Sequence, residues 1–209
     1  MRRAFLASLL LAAGVPVRAQ TALHEFRPEL IMTSPRAWGV GVQLLIEQHL
    51  ATETFAVNER IQGLGLLSPG PLGTRLALEA RQVSQPAITE HRYIPTVFST
   101  IPLNGGFELR NRTRVEIRDI DRQWSRRWQD RTAVGRDVDI LGQPVFTYGQ
   151  IDLSYDSRYS TLNRIDKSVG VRVPLVPGTS IDTFFTRQDD TRRMTRVLYA
   201  TGALLRVAL

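Results

Sequence analysis

Between Phe107 and Arg118 the chain reads FELRNRTRVEIR, and its even positions are charged without a break: Glu108, Arg110, Arg112, Arg114, Glu116, Arg118. The odd positions are mostly apolar, with Phe107, Leu109, Val115 and Ile117. Guanidinium and carboxylate groups crowded on one face have two kinds of chemistry open to them. They can neutralise one another as ion pairs, or surplus arginines can take up an anion, because the planar guanidinium matches carboxylate and phosphate oxygens two at a time. Period-two spacing recurs in Glu79-x-Arg81, Glu90-x-Arg92, Arg127-x-x-x-Arg131 and Arg164-x-Asp166, and Asp152 sits in a further alternating run. These thirteen groups (Glu79, Arg81, Glu90, Arg92, Arg112, Arg114, Glu116, Arg118, Arg127, Arg131, Asp152, Arg164 and Asp166) form the expected polar ladder.

Other chemistry has less to work with. A hydrolase acting on lipid needs a nucleophile and a base, such as a serine–histidine pair with a carboxylate. The histidines are His24, His49 and His91; His91 has Ser84 and Ser99 in its neighbourhood and His49 follows Glu47, but no triad spacing is present. Three scattered histidines without a cysteine offer no metal-ligand cluster, and no pattern calls for a cofactor. No catalytic residue is nominated.

The ladder needs an element that sends alternate side chains to opposite faces, which is a strand; a helix would scatter the same residues around its axis. Twelve residues of alternation is long for a soluble strand and suits one that crosses a bilayer at a tilt. Alternating segments separated by turn chemistry fill the chain from Trp38 onward: about 39–50, 53–66, 74–83, 91–102, 107–118, 122–135, 144–156, 161–175, 179–189 and the final RVLYATGALLRVAL. SPGPLG (68–73), Asn104-Gly105-Gly106 and Val176-Pro177-Gly178 are turn signals. Pro95 and Pro102 remove ladder donors from the fourth segment. Glu59 in the second segment, Arg126 and Asp130 in the sixth and Phe184 in the ninth fall out of the alternation, and Arg126 and Asp130 are expected near a membrane interface.

The expected fold is all-β: one closed, antiparallel, up-and-down transmembrane barrel of about ten strands over residues 38–209, with eight or twelve as alternatives. An even count puts both chain ends on one side. Residues 20–37, with Pro28 and Pro35, read as a periplasmic lead-in or a short extra strand. Residues 1–19 read as a cleaved secretory signal: Arg2 and Arg3, an apolar run from Ala4 to Val15, and a small residue at Ala19. The apolar run falls short of the ~20 residues that a helical span needs.

Composition narrows the partners. Only one of the 27 basic residues, Lys167, is a lysine, and three of the arginines lie in the leader, which reduces the formal charge of +7 to about +4. Arginines alternating along strands with glutamates do not make a nucleic-acid patch. No cysteine is available for a disulfide. Trp38, Tyr93, Trp124, Tyr155, Tyr159 and Tyr199 lie mainly near segment ends, as interfacial girdles do. Arg92, Arg122, Arg126, Arg158, Arg192 and Arg193 are placed by the ten-strand layout in or near outer loops, where lipopolysaccharide phosphates are candidate contacts. The last strand is the segment that barrel-insertion machinery would engage, although it ends in Leu209 and not in an aromatic residue.

The order Glu90-His91-Arg92, Asn104-Gly105-Gly106, Arg112-x-Arg114-x-Glu116-x-Arg118, Arg127 to Arg131 and Asn163-Arg164 ahead of Val169-Gly170-Val171 resembles the domain-of-unknown-function 2490 family of proteobacterial outer-membrane proteins. The resemblance spans about Trp38 to Leu209. It implies a single outer-membrane barrel without catalytic residues; where the family often has a glutamate in the seventh strand, this chain has Gln150 and Asp152. The expected role is a narrow channel or a structural envelope protein, monomeric in the outer membrane of a Gram-negative bacterium. A lipid-modifying enzyme and a soluble periplasmic ligand-binding barrel remain alternatives, because alternation alone does not tell the inside of a barrel from its outside.

Overall fold

The computed structural model describes residues 23–191 and 197–209. The leader expected over residues 1–19 lies outside them, as do Arg192 and Arg193. Eleven strands occupy nearly all of the described chain: β1 (Leu23–Thr33), β2 (Gly41–Ala51), β3 (Val57–Pro69), β4 (Arg75–Gln85), β5 (Ile88–Pro102), β6 (Phe107–Ile120), β7 (Gln123–Ile140), β8 (Gln143–Asp156), β9 (Thr161–Val176), β10 (Thr179–Asp190) and β11 (Val197–Ala208). Consecutive strands pair antiparallel in an up-and-down meander, and β1 pairs with β11 to close the barrel.

Two expectations change here. The closed all-β barrel is as expected, but its strands number eleven, close to the ten or so expected, and it is mixed, since β1 runs parallel to β11 from Leu23 beside Leu198 to Thr33 beside Ala208. The second follows from the first: strands that alternate in direction around a closed ring must leave one parallel pair when their number is odd. Residues 23–33 therefore belong to the wall. Leu23 and Leu209 consequently lie at opposite ends of the barrel, not on one side. The end that holds Leu209 and the β1–β2, β3–β4, β5–β6, β7–β8 and β9–β10 connections is called proximal below; the other is distal.

Turn chemistry sets the hairpins. Asp121-Arg122 and Leu141-Gly142 each have positive φ at both residues (51° and 66°, 56° and 79°), the mirror-image turn whose twist matches that of the flanking strands. Asp139 Oδ1 accepts the Gly142 N–H at 2.8 Å and fixes the second of them. Asn104–Gly106 forms the short 3-10 turn expected from NGG, and Pro71–Gly73 another. The β5–β6 ladder skips Ile94 and Pro95 between Tyr93 and Thr96, the break that a proline imposes.

The two faces differ sharply. Leu44, Leu64, Leu66, Leu78, Val97, Ile101, Ile151, Leu153, Val169 and Leu205 are exposed on the outer surface, while the buried positions inside are rich in charge. Trp128 and Tyr155 meet on the outside with ring centroids 5.8 Å apart, and Tyr199 stacks between His24 and Phe185 at 5.7 and 5.8 Å. The second segment, whose Phe55, Val57 and Ile61 read as the apolar face against Asn58 and Arg60, has the opposite phase to that expectation. Glu59 and Ile61 turn inward, and Ile61 joins Leu45, Val83 and Ile31 in a small apolar cluster within the lumen. Phe184 is also an inward residue: its ring occupies the space that a Cβ at Gly202 would take, as the phenol end of Tyr148 does at Gly170. Asp130 does face outward, but in mid-strand and not at a rim. Its carboxylate accepts hydrogen bonds from Asn111 Nδ2 at 3.1 Å and Thr113 Oγ1 at 2.7 Å, which offsets the cost of that position.

Candidate functional site

The inward faces of β4 to β9 carry all thirteen ladder residues, and the registers between strands decide which of them meet. Glu116, in β6, lies opposite Arg127 in β7 and has no exposed surface. Arg127 Nε donates to Glu116 Oε2 at 2.8 Å, and its Nη2 donates to the same oxygen. Arg114 Nη2 stands 2.9 Å from Oε1, and Arg92 Nη1 lies 3.8 Å from Oε2. Along the strand Glu116 has Arg114 and Arg118 two residues to either side. The structure sends Arg118 elsewhere, to Glu90 and, 2.8 Å away, to Asp156 Oδ2. Arg92 Nε stands 3.0 Å from Glu90 Oε1. A continuous chain of pairs thus runs Asp156–Arg118–Glu90–Arg92–Glu116–Arg127 across β5 to β8.

Ion pairs also form within single strands, where residues two apart share a face. Arg81 Nε donates to Glu79 Oε2 at 2.9 Å and Arg164 Nε to Asp166 Oδ2 at 2.9 Å. Asp152 is shared by Arg131, at 2.9 Å, and Arg112, at 3.4 Å. Such sharing is what a buried charge demands, because an unpaired one costs several kcal/mol.

The arginines nominated for outer loops divide. Arg92 is buried in the lumen and leaves that set, because its position in β5 has inward parity. Arg122 sits in the β6–β7 turn at the distal end. Arg126 faces outward near that end, its backbone N–H donating to Ser157 Oγ at 3.0 Å. Arg158, in the β8–β9 turn, donates to Asp156 Oδ2 at 2.8 Å, and that hydrogen bond raises the Arg158 pKa.

Several interior groups lie outside the thirteen nominated from sequence. On β1–β3, Arg27 Nη2 pairs with Glu25 at 2.9 Å and reaches Gln188 Oε1 at 3.2 Å. His49 Nε2 stands 2.7 Å from Glu47, with Glu25 and Glu59 at 3.7 and 3.8 Å from its other ring nitrogen. Glu25-x-Arg27 and Glu47-x-His49 have the spacing of Glu79-x-Arg81 and were open to the same inference. Near the proximal end, Asp182 Oδ2 accepts from Arg172 Nη2 at 3.1 Å and from Arg206 Nε at 2.8 Å. Of the other histidines, His24 packs on Tyr199 and His91 is exposed on the outer face of β5. Among the described residues no group of three or more histidine, aspartate or glutamate side chains is arranged to hold a metal ion.

No protein-family model matches the chain, and no curated protein matches it in sequence. Solved structures do match in fold. The β-domain of the Bordetella autotransporter BrkA superposes with a TM-score of 0.50 at 13% identity, over 83% of this chain and 85% of that one. An anion-selective porin from Comamonas acidovorans matches with a TM-score of 0.43 at 11% identity, over 84% of this chain and 56% of the porin. The chain therefore spans a little over half of the porin's length. What the architecture defines is a closed, up-and-down β-barrel with a charged interior and an apolar exterior.

Proposed function

We propose that this protein is an outer-membrane β-barrel whose narrow, ion-paired lumen carries small ions at low conductance. The observation behind this reading is the distribution of the two faces. Leucine, valine, isoleucine and aromatic side chains cover the outside, and arginine–carboxylate pairs fill the inside. Hydrocarbon requires an apolar outer face and a sheet without open edges. A soluble ligand-binding barrel needs the reverse arrangement, with its apolar face turned in. Arginine–carboxylate pairs linked through the fully buried Glu116 crowd the lumen, which favours a restricted path over a wide pore.

Membership of the domain-of-unknown-function 2490 family, export by the leader, engagement of β11 by insertion machinery and contact of Arg122, Arg126 and Arg158 with lipopolysaccharide phosphates belong to the same reading. Conductance of the refolded protein in a planar bilayer, with a KCl gradient to report selectivity, tests it. Small, discrete steps are expected. A heat-modifiable barrel that inserts and stays silent overturns the channel role and leaves a structural envelope role.

A further inference from the structure

We infer that the proximal half of the lumen is a binding site for a phosphate-type oxyanion, built from Arg110, Arg172 and Arg206 around Phe146 and Asp182. The inference rests on the barrel reading above only in placing the site inside a lumen; binding itself needs no conduction.

Shared carboxylates, and arginines that remain reachable, carry the inference. Arg172 and Arg206 share the single carboxylate of Asp182, which is nearly fully buried while both arginines remain partly exposed. Arg112 and Arg131 share Asp152 in the same way. Arg110 pairs with Glu108. Around Phe146, Arg110, Arg172 and Arg206 thus stand against Glu108 and Asp182 in these pairs, with Asp137, opposite Phe146 in the register, as a further carboxylate at this end. The lattice around Glu116 and Glu90 also has more arginines than carboxylates, with Arg92, Arg114, Arg118 and Arg127 against Glu90, Glu116 and Asp156, but those arginines are buried or nearly so, whereas Arg110, Arg172 and Arg206 are partly exposed and open to a ligand.

Geometry gathers these arginines. The ring of Phe146 has the Arg110 guanidinium carbon 4.0 Å from its centroid and that of Arg172 5.6 Å away. One aromatic platform therefore holds two cations that would otherwise repel. Phe146 lies opposite Arg172 in the register, and Arg172 opposite Asp182. Donors remain unused. A guanidinium has five N–H groups; among the described contacts Arg206 gives only its Nε to Asp182. Arg112 Nε is buried without a hydrogen-bond partner. Oxygens of a tetrahedral anion match the unused donors of these partly exposed arginines. The anion can be free phosphate that enters the lumen or the phosphate of a lipid headgroup at the proximal rim; the chemistry is shared.

Isothermal titration of inorganic phosphate into the barrel refolded in dodecyl maltoside, a detergent without phosphate, tests the site, with folding checked by heat-modifiable mobility. Saturable binding is expected. Arg206→Gln weakens it about tenfold or more, as loss of a charge-assisted contact does, while Asp182→Asn strengthens it by removing a competing carboxylate. Arg187→Gln, on the outer face, leaves it unchanged. Folded wild-type protein that takes up neither phosphate nor short-chain phosphatidic acid overturns the inference, and so does an equal loss in Arg187→Gln. Binding of phosphatidic acid alone supports the site with a lipid headgroup as its occupant. A barrel that binds phosphate yet is silent in the bilayer overturns the channel reading and leaves the site standing.

Discussion

Glu116 and Arg127 face each other directly across the β6–β7 ladder, and Arg127 directs two N–H groups onto one oxygen of a carboxylate that has no exposed surface. Arg114 and Arg92 stand on the remaining sides. Glu116 is the anionic centre of three cations. Glu116→Ala leaves all three without it, and the expected loss of stability is about 3–5 kcal/mol. The urea midpoint of the barrel in lipid vesicles measures this. Combining Glu116→Gln with Arg127→Met restores part of the loss, since removing both charges is less costly than removing one.

Gly202 and Gly149 predict contrasting outcomes for the same substitution. A Cβ at Gly202 would lie 2.1 Å from the Phe184 ring, whereas one at Gly149 meets nothing within 4 Å. Gly202→Ala forces the ring off the strand and costs about 1–3 kcal/mol. Gly149→Ala changes stability by about 0.5 kcal/mol or less. The temperature at which each refolded variant loses its compact electrophoretic mobility separates the two.

Removal of residues 20–33 deletes β1 and leaves β2 and β11 with unpaired edges. Joining them would demand a ten-stranded ring with a new register. The shortened chain is expected to aggregate or to refold without heat-modifiable mobility, as exposed strand edges predict. Normal refolding of a chain that begins at Ser34 would show that β1 is dispensable for closure.

The outward tryptophans report on the surroundings of the barrel. Trp128 lies on the outer face beside Tyr155, while Trp38 sits fully exposed in the β1–β2 connection. In vesicles with brominated acyl chains, Trp128 emission is expected to be quenched strongly and Trp38 emission weakly. Trp128→Phe should therefore remove more of the quenchable signal than Trp38→Phe. Equal, weak quenching of both would contradict a membrane-embedded belt.

Periodicity in the sequence was enough for strands 2 to 11, most of their faces and the pairs formed two residues apart. Side-chain direction in a strand is a local property, so Glu79 and Arg81 needed no tertiary information to be placed together. The same pattern was legible in Glu25-x-Arg27, but Pro28 and Pro35 left residues 20–37 open between a lead-in and a short extra strand, and the pairing of β1 with β11 settles it as a strand. The reversed phase at Glu59 and Ile61 was concealed for a related reason: both faces of β3 carry apolar and polar residues, and only packing of Ile61 against Leu45 and Val83 selects one.

Alternation along the chain determined by itself that this protein is a sheet with one greasy and one charged face. Tertiary structure decided three things: closure through a parallel β1–β11 seam, which face lies inside, and which carboxylate each arginine meets. Arg118 finds Asp156 38 residues away, and Arg206 shares Asp182 with Arg172. Such partners follow from the register of neighbouring strands and the curvature that brings inner side chains toward one another, and neither quantity is written in the spacing of residues along a single strand.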